Sequence, residues 1–225
     1  LGSLEGLRIG VFANTTGYAA ERDRELDRVL ALARADGATV IPGLRIERYD
    51  GFGDDAEAVL LYEFRRDLAA YLASLPNALT GLGLDDLIAF NAAHADRELR
   101  YFGQEIFLAA RDLDLDEAGY EATRARLRRQ AREQGLDRLF AEAELDALIG
   151  ITEGPAWMID PVNGDAFFGE SMASLPAIAG NPHVTLPLGT VDGLPLGISL
   201  VARRSQDHTL LRIAHRLEAL HRGGP

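Results

Sequence analysis

The chain has 225 residues, of which 47% are hydrophobic, enough for one large domain or two small ones with a buried core. Its 23 basic and 35 acidic residues give a formal charge of −12, which argues against a nucleic-acid partner. Nowhere do about 18 apolar residues follow one another, so no membrane partner is expected. The absence of Cys excludes disulfides and thiolate metal sites, and it is compatible with a reducing cytoplasm, the expected location.

The basic residues are all Arg, and Lys is absent from the sequence. An Arg side chain, with a pKa above about 12, cannot act as a neutral amine base. The composition therefore excludes any mechanism that needs an amine within this chain.

Residues 1–47 are predicted to form a strand–helix–strand unit. Residues 7–12 are a short apolar run typical of a buried strand. Four apolar residues at helical spacing follow before Gly37, namely Leu26, Val29, Leu30 and Ala33. Residues 39–41 form a second strand, which Pro42 and Gly43 are expected to stop. This order of elements predicts a parallel pair with a right-handed crossover.

Residues 54–142 are predicted to be a helical segment, after a Gly- and Asp-rich loop over residues 48–55. Three apolar stripes at helical spacing mark it, over residues 61–75, 84–99 and 118–125. The last stripe is the weakest and is expected to end near Gly135.

Residues 145–225 are predicted to hold strands, a hairpin and a final helix. Strand-like runs occur at residues 147–151, 183–188 and 196–202. Residues 191–194 are typical of a hairpin turn, and Asp207 is the expected N-cap of the final helix. The elements together predict an α/β fold with a mixed β-sheet flanked by helices. Because strands are few for so many helices, we expect strands from elsewhere to complete the sheet.

Residues 169–173 are close to the G-x-S-x-G pattern, which exposes a nucleophilic Ser above a sheet. The pattern fails at its last glycine and lacks a strand directly before it. A small α/β serine esterase would use Ser171 with His208 or His215, both on the predicted final helix. The simpler interpretation makes Ser171 the N-cap of a short helix that ends at Gly180.

Two charged clusters have structural explanations. Residues 112–117, four of which are acidic, resemble the start of a calcium loop. They lack the loop's Gly and its bidentate Glu, so no metal is expected. Five Arg residues between 124 and 132 have no aromatic residues or Gly-rich loop beside them, which favours a solvated helix face. No phosphate loop is present, and no cofactor is expected.

Two stretches, residues 101–105 and 154–165, combine aromatic and polar residues around glycines. The second follows a predicted strand, and such loops beyond strand ends form small-molecule pockets in α/β proteins. The pocket residues predicted from the two stretches are Tyr101, Phe102, Gln104, Glu105, Trp157 and Asp160.

These stretches belong to five sequence blocks that resemble the amidase signature family in order and spacing. The blocks are D-L-I-A-F-N at residues 86–91, Y-F-G-Q-E at 101–105, L-D-A-L-I at 145–149 with G-P-A-W at 154–157, A-G-N-P at 179–182, and G-L-P-L-G-I-S at 193–199. The chain resembles only the C-terminal half of the family, and most of all the bacterial amidases akin to peptide amidase. The resemblance implies that residues 1–225 are a single C-terminal portion of an amidase domain, with the N-terminal half as its partner.

The resemblance also implies a reaction: amide hydrolysis by a nucleophilic Ser, a bridging Ser in a cis peptide, and a Lys base, all located upstream of this chain. The absence of Lys agrees with this, so the chain alone is expected to be inactive and to hold no catalytic residue. It would instead form part of the pocket for a small amide. A non-catalytic binding domain is the remaining alternative, and a homodimer is left open.

The same resemblance implies a substrate class. Residues 102–105 match the family's F-G-x-E pattern beside the substrate, which glutamine-using members follow within four residues by an Arg. This chain has uncharged residues at 106–109, so an uncharged or aromatic amide is expected. Glu170 falls about where those members hold the substrate amine.

Overall fold

A computed structural model describes residues 2–76 and 81–223. Leu1, residues 77–80 and residues 224–225, which fall in the three predicted segments, lie outside the described residues. The chain divides into two compact units. The first comprises Leu1–Arg48, Arg128–Ile159 and Gly164–Pro225, and the second comprises Tyr49–Leu127 and Asp160–Asn163.

The described residues of the first unit form a five-stranded mixed sheet in the order β2-β1-β3-β5-β4. The strands are β1 (Arg8–Phe12), β2 (Thr39–Leu44), β3 (Ala147–Ile151), β4 (His183–Val191) and β5 (Leu194–Val201). β1 pairs in parallel with β2 and β3, whereas β5 pairs antiparallel with β3 and β4. The predicted parallel pair and the predicted hairpin are both confirmed.

Helices make up most of the remaining regular structure. They are α1 (Ala20–Ala35), α2 (Phe52–Ala73), α3 (Leu84–Ala93), α4 (Ala95–Glu98), α5 (Glu105–Asp112), α6 (Glu117–Ala131), α7 (Asp137–Glu142), α8 (Ser174–Ala179) and α9 (Asp207–His221). The predicted fold class, a mixed sheet flanked by helices, is confirmed.

One face of the sheet packs against α1 and α9 and holds the main hydrophobic core. Alternate strand residues point to this face, and Ile9, Ile149 and Ile198 are completely buried there. Truncating a residue of this kind to Ala typically costs about 2–5 kcal/mol. The predicted stripe from Leu26 to Ala33 supplies the α1 side of the core.

The other face of the sheet is polar where β3, β4 and β5 lie side by side. Gly150 of β3 is paired with Ser199 of β5, and Thr185 of β4 is paired with the same serine. His183 is two residues before Thr185 and therefore lies on the same face.

The second unit has its own aromatic contacts. The rings of Tyr62 and Tyr120 are stacked with centroids 4.3 Å apart, and the Tyr120 hydroxyl donates to Glu63 Oε1 at 2.6 Å. Phe64 of α2 lies against Phe107 of α5, with centroids 5.4 Å apart. These contacts join α2 to α5 and α6 within the unit.

Two predicted element ends were wrong for backbone reasons. β2 runs through Pro42 and Gly43, because an edge strand tolerates a missing N–H; the pairing with β1 shifts register there. The helix expected to end near Gly135 instead passes through a π-helical turn, Arg132–Leu136, into α7. A Cβ at Gly135 would lie 2.6 Å from the Gln130 carbonyl oxygen, so glycine permits this turn.

Two further boundaries differ from the sequence prediction. The stripe over residues 84–99 is interrupted at His94, which separates α3 from α4. Asp207 is the first residue of α9 rather than its N-cap, which is Gln206. An acidic residue in the first turn still complements the positive end of the helix dipole.

Candidate functional site

The candidate site in the first unit begins where two neighbouring parallel strands end. The hydroxyl of Thr15, just after β1, donates to the Phe12 carbonyl at 3.0 Å and accepts from the Ile151 N–H at 3.1 Å. Because Ile151 is the last residue of β3, Thr15 ties the ends of the two strands together. Ligand sites of open α/β sheets lie beyond such carboxyl ends.

The loop that leaves β3 returns to its own starting point. The Thr152 carbonyl accepts from the Ser171 hydroxyl at 3.3 Å and from the Met172 N–H at 2.9 Å. The Ser171 hydroxyl also accepts from the Ala173 N–H at 3.1 Å, and α8 starts only at Ser174. Ser171 therefore forms a turn before the helix, and the N-cap prediction was wrong by two residues, because the N-cap is Ala173.

Trp157 lies in this loop beside a carboxylate and a second aromatic ring. Its Nε1 donates to Asp165 Oδ1 at 2.9 Å, and the Phe167 ring meets it edge-on with centroids 4.6 Å apart. Phe167 is 69% exposed, and the adjacent Met158 is 85% exposed. The loop thus presents an open aromatic surface with a fixed acceptor beside it.

Glu170 lies near the end of the same loop and forms an ion pair. Its Oε2 accepts from Arg48 Nη2 at 2.9 Å, and both side chains are about one-third exposed. A substrate amine held by Glu170 would have to share its carboxylate with Arg48. Ion pairs with this degree of exposure contribute about 1 kcal/mol or less to stability, so a substrate amine could share the carboxylate with little loss of free energy.

Arg22 anchors the loop from the side of α1. It is 1% exposed, and its Nη1 donates to the Phe168 carbonyl at 2.8 Å. Desolvation by burial lowers the pKa of its guanidinium, while the negative charge of Asp23 and Glu153 opposes that shift. The guanidinium nevertheless stays charged at neutral pH.

A hydroxyl–imidazole cluster lies on the polar face of the sheet. The fully buried Ser199 has its Oγ 2.6 Å from His183 Nε2, 2.9 Å from Thr152 Oγ1 and 3.2 Å from Thr185 Oγ1. Burial lowers the pKa of His183, which favours its neutral form at pH 7. Serine beside neutral histidine is the pairing of nucleophile and base, but the Ser199 hydroxyl has no exposed surface for a substrate to reach.

Five of the predicted pocket residues lie in the second unit. Tyr101 and Phe102 are exposed, at 60% and 59%. Gln104 uses both ends of its amide within the unit, because Oε1 accepts from Asn91 Nδ2 at 3.2 Å and Nε2 donates to the Ile88 carbonyl at 3.3 Å. Gln104 therefore holds α5 against α3.

The carboxylates of Glu105 and Asp160 are also placed by their own surroundings. A Cβ at Gly103 would overlap the Glu105 carboxylate, so glycine gives that side chain its position at the start of α5. Asp160 accepts from the Val162 and Asn163 N–H groups and from Asn163 Nδ2. These bonds lower the Asp160 pKa, with the Asn163 side chain the largest cause.

Residues 2–76 and 81–223 contain no group of three His, Cys, Asp or Glu side chains placed to hold a metal ion. None of the helices in the same ranges is long and apolar enough to cross a membrane.

Known proteins resemble this chain over nearly its full length. A sequence model of the amidase family matches residues 1–211. The chain belongs to the amidase family. Native peptide amidase from Stenotrophomonas maltophilia superimposes with a TM-score of 0.83 at 33% identity, covering 97% of this chain and 44% of that one. A structure of peptide amidase with the competitive inhibitor chymostatin gives 0.86 at 32% identity over the same shares.

Two curated sequences also match this chain. A probable amidase from Arabidopsis thaliana is 28% identical over 96% of this chain. One component of the glutamyl-tRNA(Gln) amidotransferase from Pseudomonas entomophila is 29% identical over the same share. The chain spans 38% of the length of the first protein and 45% of the second.

Several site residues were missed from the sequence, although some left a signal. Arg22 precedes Leu26 by one helical turn and so continues the buried stripe of α1. His183, Thr185 and Ser199 are alternate residues of two strands predicted to form a hairpin. The strand register, which brings Ser199 opposite Thr185, could not be read from either strand alone.

Proposed function

We propose that this chain is the pocket-forming portion of an amidase that hydrolyses a small, uncharged or aromatic carboxylic or peptide amide to an acid and ammonia or an amine. Membership of the amidase family over residues 1–211 is the observation that carries the proposal. The likeness to peptide amidase at 32–33% identity supports a peptide amide as one member of this substrate class.

The open aromatic surface supports the substrate class. Trp157 and Phe167 offer ring faces and edges, and Asp165 already accepts from the indole N–H. Tyr101 and Phe102 are the exposed aromatic residues proposed from the second unit. Aromatic faces hold an apolar acyl group, while an acidic chain with a charge of −12 repels a carboxylate.

The polar residues are proposed in two roles. Glu105 and Glu170 have carboxylate oxygens that can accept from a substrate amide or amine N–H. The polar atoms of Gln104 and Asp160 already form hydrogen bonds with neighbouring backbone and side chains. These two residues are therefore proposed to support the pocket wall rather than to bind substrate directly.

We place the catalytic Ser–Ser–Lys relay outside this chain and propose that the chain alone is inactive. The chain has no Lys to act as the base, and Arg cannot replace it. The Ser171 hydroxyl is held by the Thr152 carbonyl and the Ala173 N–H, and Ser199 is buried. Ser171 has no base among these partners, and Ser199, which has His183 beside it, is too buried for a substrate to reach.

Benzamide and benzoate form a matched pair of probes for this proposal. Trp157 is the only Trp, so its fluorescence reports binding at the aromatic surface. We expect benzamide to quench it more strongly than benzoate, with no ammonia released by the chain alone. Joining the chain to the coding sequence that precedes it should restore ammonia release.

Two results would contradict the proposal. Ammonia release by the 225-residue chain that Ser171→Ala abolishes would make Ser171 a nucleophile, as would its labelling by a fluorophosphonate. Binding of benzamide with no turnover in any extended chain would leave a non-catalytic binding domain instead.

A further inference from the structure

Arg22 is the one buried charged side chain in the described parts of the sequence, residues 2–76 and 81–223. It lies in the first turn of α1, and its neighbours on either side of the chain behave differently. The side chains of Glu21 and Arg24 are 53% and 65% exposed and pair with each other at the surface. Residue 22 lies on the buried stripe of α1, so helical geometry directs its side chain inward while Glu21 and Arg24 face solvent.

The guanidinium makes one hydrogen bond and leaves two nitrogens buried. Nη1 donates to the Phe168 carbonyl at 2.8 Å, while Nε and Nη2 have no hydrogen-bond partner among the described residues. A buried charge with one acceptor destabilises a fold relative to an apolar side chain of the same size. Arg22 therefore contributes to the position of the loop rather than to the stability of the fold, because its hydrogen bond fixes where one loop carbonyl lies.

Two glycines let the loop backbone come this close. A Cβ at Gly169, where φ is +89°, would lie 2.9 Å from Arg22 Nη1 and 3.0 Å from Tyr18 Cδ2. A Cβ at Gly154 would lie 2.9 Å from the Phe168 carbonyl oxygen. The departing and returning arms of the loop thus meet at the carbonyl that Arg22 holds.

The held carbonyl is adjacent to the aromatic surface. Phe168 follows Phe167, whose ring contacts Trp157, and the Phe168 ring meets Tyr18 edge-on at 6.3 Å. A bond at the Phe168 backbone therefore limits how far the Phe167 ring can move from Trp157. Nearby negative charge at Asp23 and Glu153 disfavours an anionic ligand at the two remaining nitrogens.

We propose that Arg22 is a positioning residue that fixes the Trp157–Phe167 aromatic surface by holding the Phe168 carbonyl, and so sets the shape of the amide pocket. The second half of this statement rests on the proposed function. The first half does not, because the position of the loop can be measured without substrate.

The test uses acrylamide quenching of Trp157 fluorescence in the 225-residue chain. Arg22→Met removes the hydrogen bond but keeps an apolar stem, and it should raise the quenching constant about two-fold as the loop opens locally. Arg22→Lys can still donate to the Phe168 carbonyl and should recover most of the parent value. Arg24→Gln, which removes an exposed Arg two residues away, should leave quenching unchanged.

A second pair of variants tests the same contact without altering the charge. Gly169→Ala and Gly6→Ala both place Ala at positive φ, +89° and +77°, but only the Cβ at residue 169 would meet Arg22. Both should lose stability through the backbone, while Gly169→Ala alone should increase quenching. If Arg22→Met does not fold, this pair of glycine variants tests the positioning role of Arg22 on its own.

The outcomes separate the two halves of the inference. Unchanged quenching in Arg22→Met, or equal increases in the two glycine variants, would overturn the positioning role. If quenching changes as expected but benzamide does not bind the parent chain, the proposed function fails and the positioning role stands. If benzamide binds the parent, Arg22→Met should weaken that binding about ten-fold and Arg22→Lys should restore it.

Discussion

The ion pair between Asp36 and Arg216 joins the end of α1 to α9, and Asp36→Asn measures its contribution to stability. Arg216 Nε lies 3.0 Å from Asp36 Oδ2 and Nη2 lies 2.7 Å from Oδ1, a bidentate arrangement. The Leu4 N–H donates to the same carboxylate at 2.9 Å. Only 14% of the Arg216 side chain and 11% of the Asp36 side chain is exposed, so water screens the pair weakly.

The expected loss for Asp36→Asn is about 2 kcal/mol at pH 7, between the value for exposed pairs and that for breaking a fully buried pair. For a chain of this size the loss lowers Tm by about 4–8 °C. Urea unfolding gives the free energy directly. Glu21→Gln is the control, because it breaks a pair that is more than half exposed and should change the free energy of unfolding far less than Asp36→Asn does.

The effect should depend on pH in a defined direction. The hydrogen bond from Arg216, followed by that from the Leu4 N–H, lowers the pKa of Asp36 in the folded chain. Its stabilisation is therefore complete above the unfolded pKa of about 3.9 and is lost as the pH falls through the lower folded value. The difference between parent and Asp36→Asn should shrink over that range. A difference below about 0.5 kcal/mol at pH 7, or one that persists in acid, would refute this reasoning.

Three further predictions concern the polar cluster and two glycines. Ser199→Ala should lower the free energy of unfolding in urea by about 1–2 kcal/mol, since His183 and Thr185 can form hydrogen bonds with water instead. A larger loss would mean that the residues of the cluster are more tightly coupled. Gly103→Ala should displace the Glu105 carboxylate and weaken benzamide binding while changing stability by less than about 1 kcal/mol; unchanged binding would remove Glu105 from the pocket. Gly53→Ala in α2, where a Cβ meets nothing within 4 Å, should stabilise the chain by about 0.5–1 kcal/mol, and a loss in urea unfolding would contradict this.

The sheet was predictable because its strands are short apolar runs whose order fixes the connections. Residues 147–151 form a strand with the predicted bounds, and the turn at residues 191–194 joins antiparallel partners. Element ends were less predictable, since they depend on pairing. Pro42 remains within a strand because β2 is at the edge, a fact that concerns neighbours rather than local sequence.

The candidate site was predictable only in part, for a related reason. Trp157 was found because it is an aromatic residue on a loop after a strand, and its partner Asp165 lies within the same loop. Arg22 is 146 residues from Phe168, and His183 is 16 residues from Ser199. No local pattern pairs such residues, because their contact follows from the crossover of α1 and from the register of β4 on β5.

The place where the sheet changes from parallel to antiparallel explains why the loop can be both anchored and open. β3 is parallel to β1 but antiparallel to β5, and Thr152, which directly follows β3, bonds to β5. Its N–H donates to the Gly197 carbonyl at 3.0 Å, and its hydroxyl lies 2.9 Å from Ser199 Oγ. A Cβ at Gly197 would lie 2.9 Å from Thr152 Oγ1, so glycine makes this approach possible. The loop base is therefore fixed by β5, and the two arms of the loop meet at the Phe168 carbonyl that Arg22 holds. Closer to the tip, Trp157 contacts Asp165 and Phe167. Variation at the tip should change ligand binding with little effect on folding, whereas variation at Thr152 should change both.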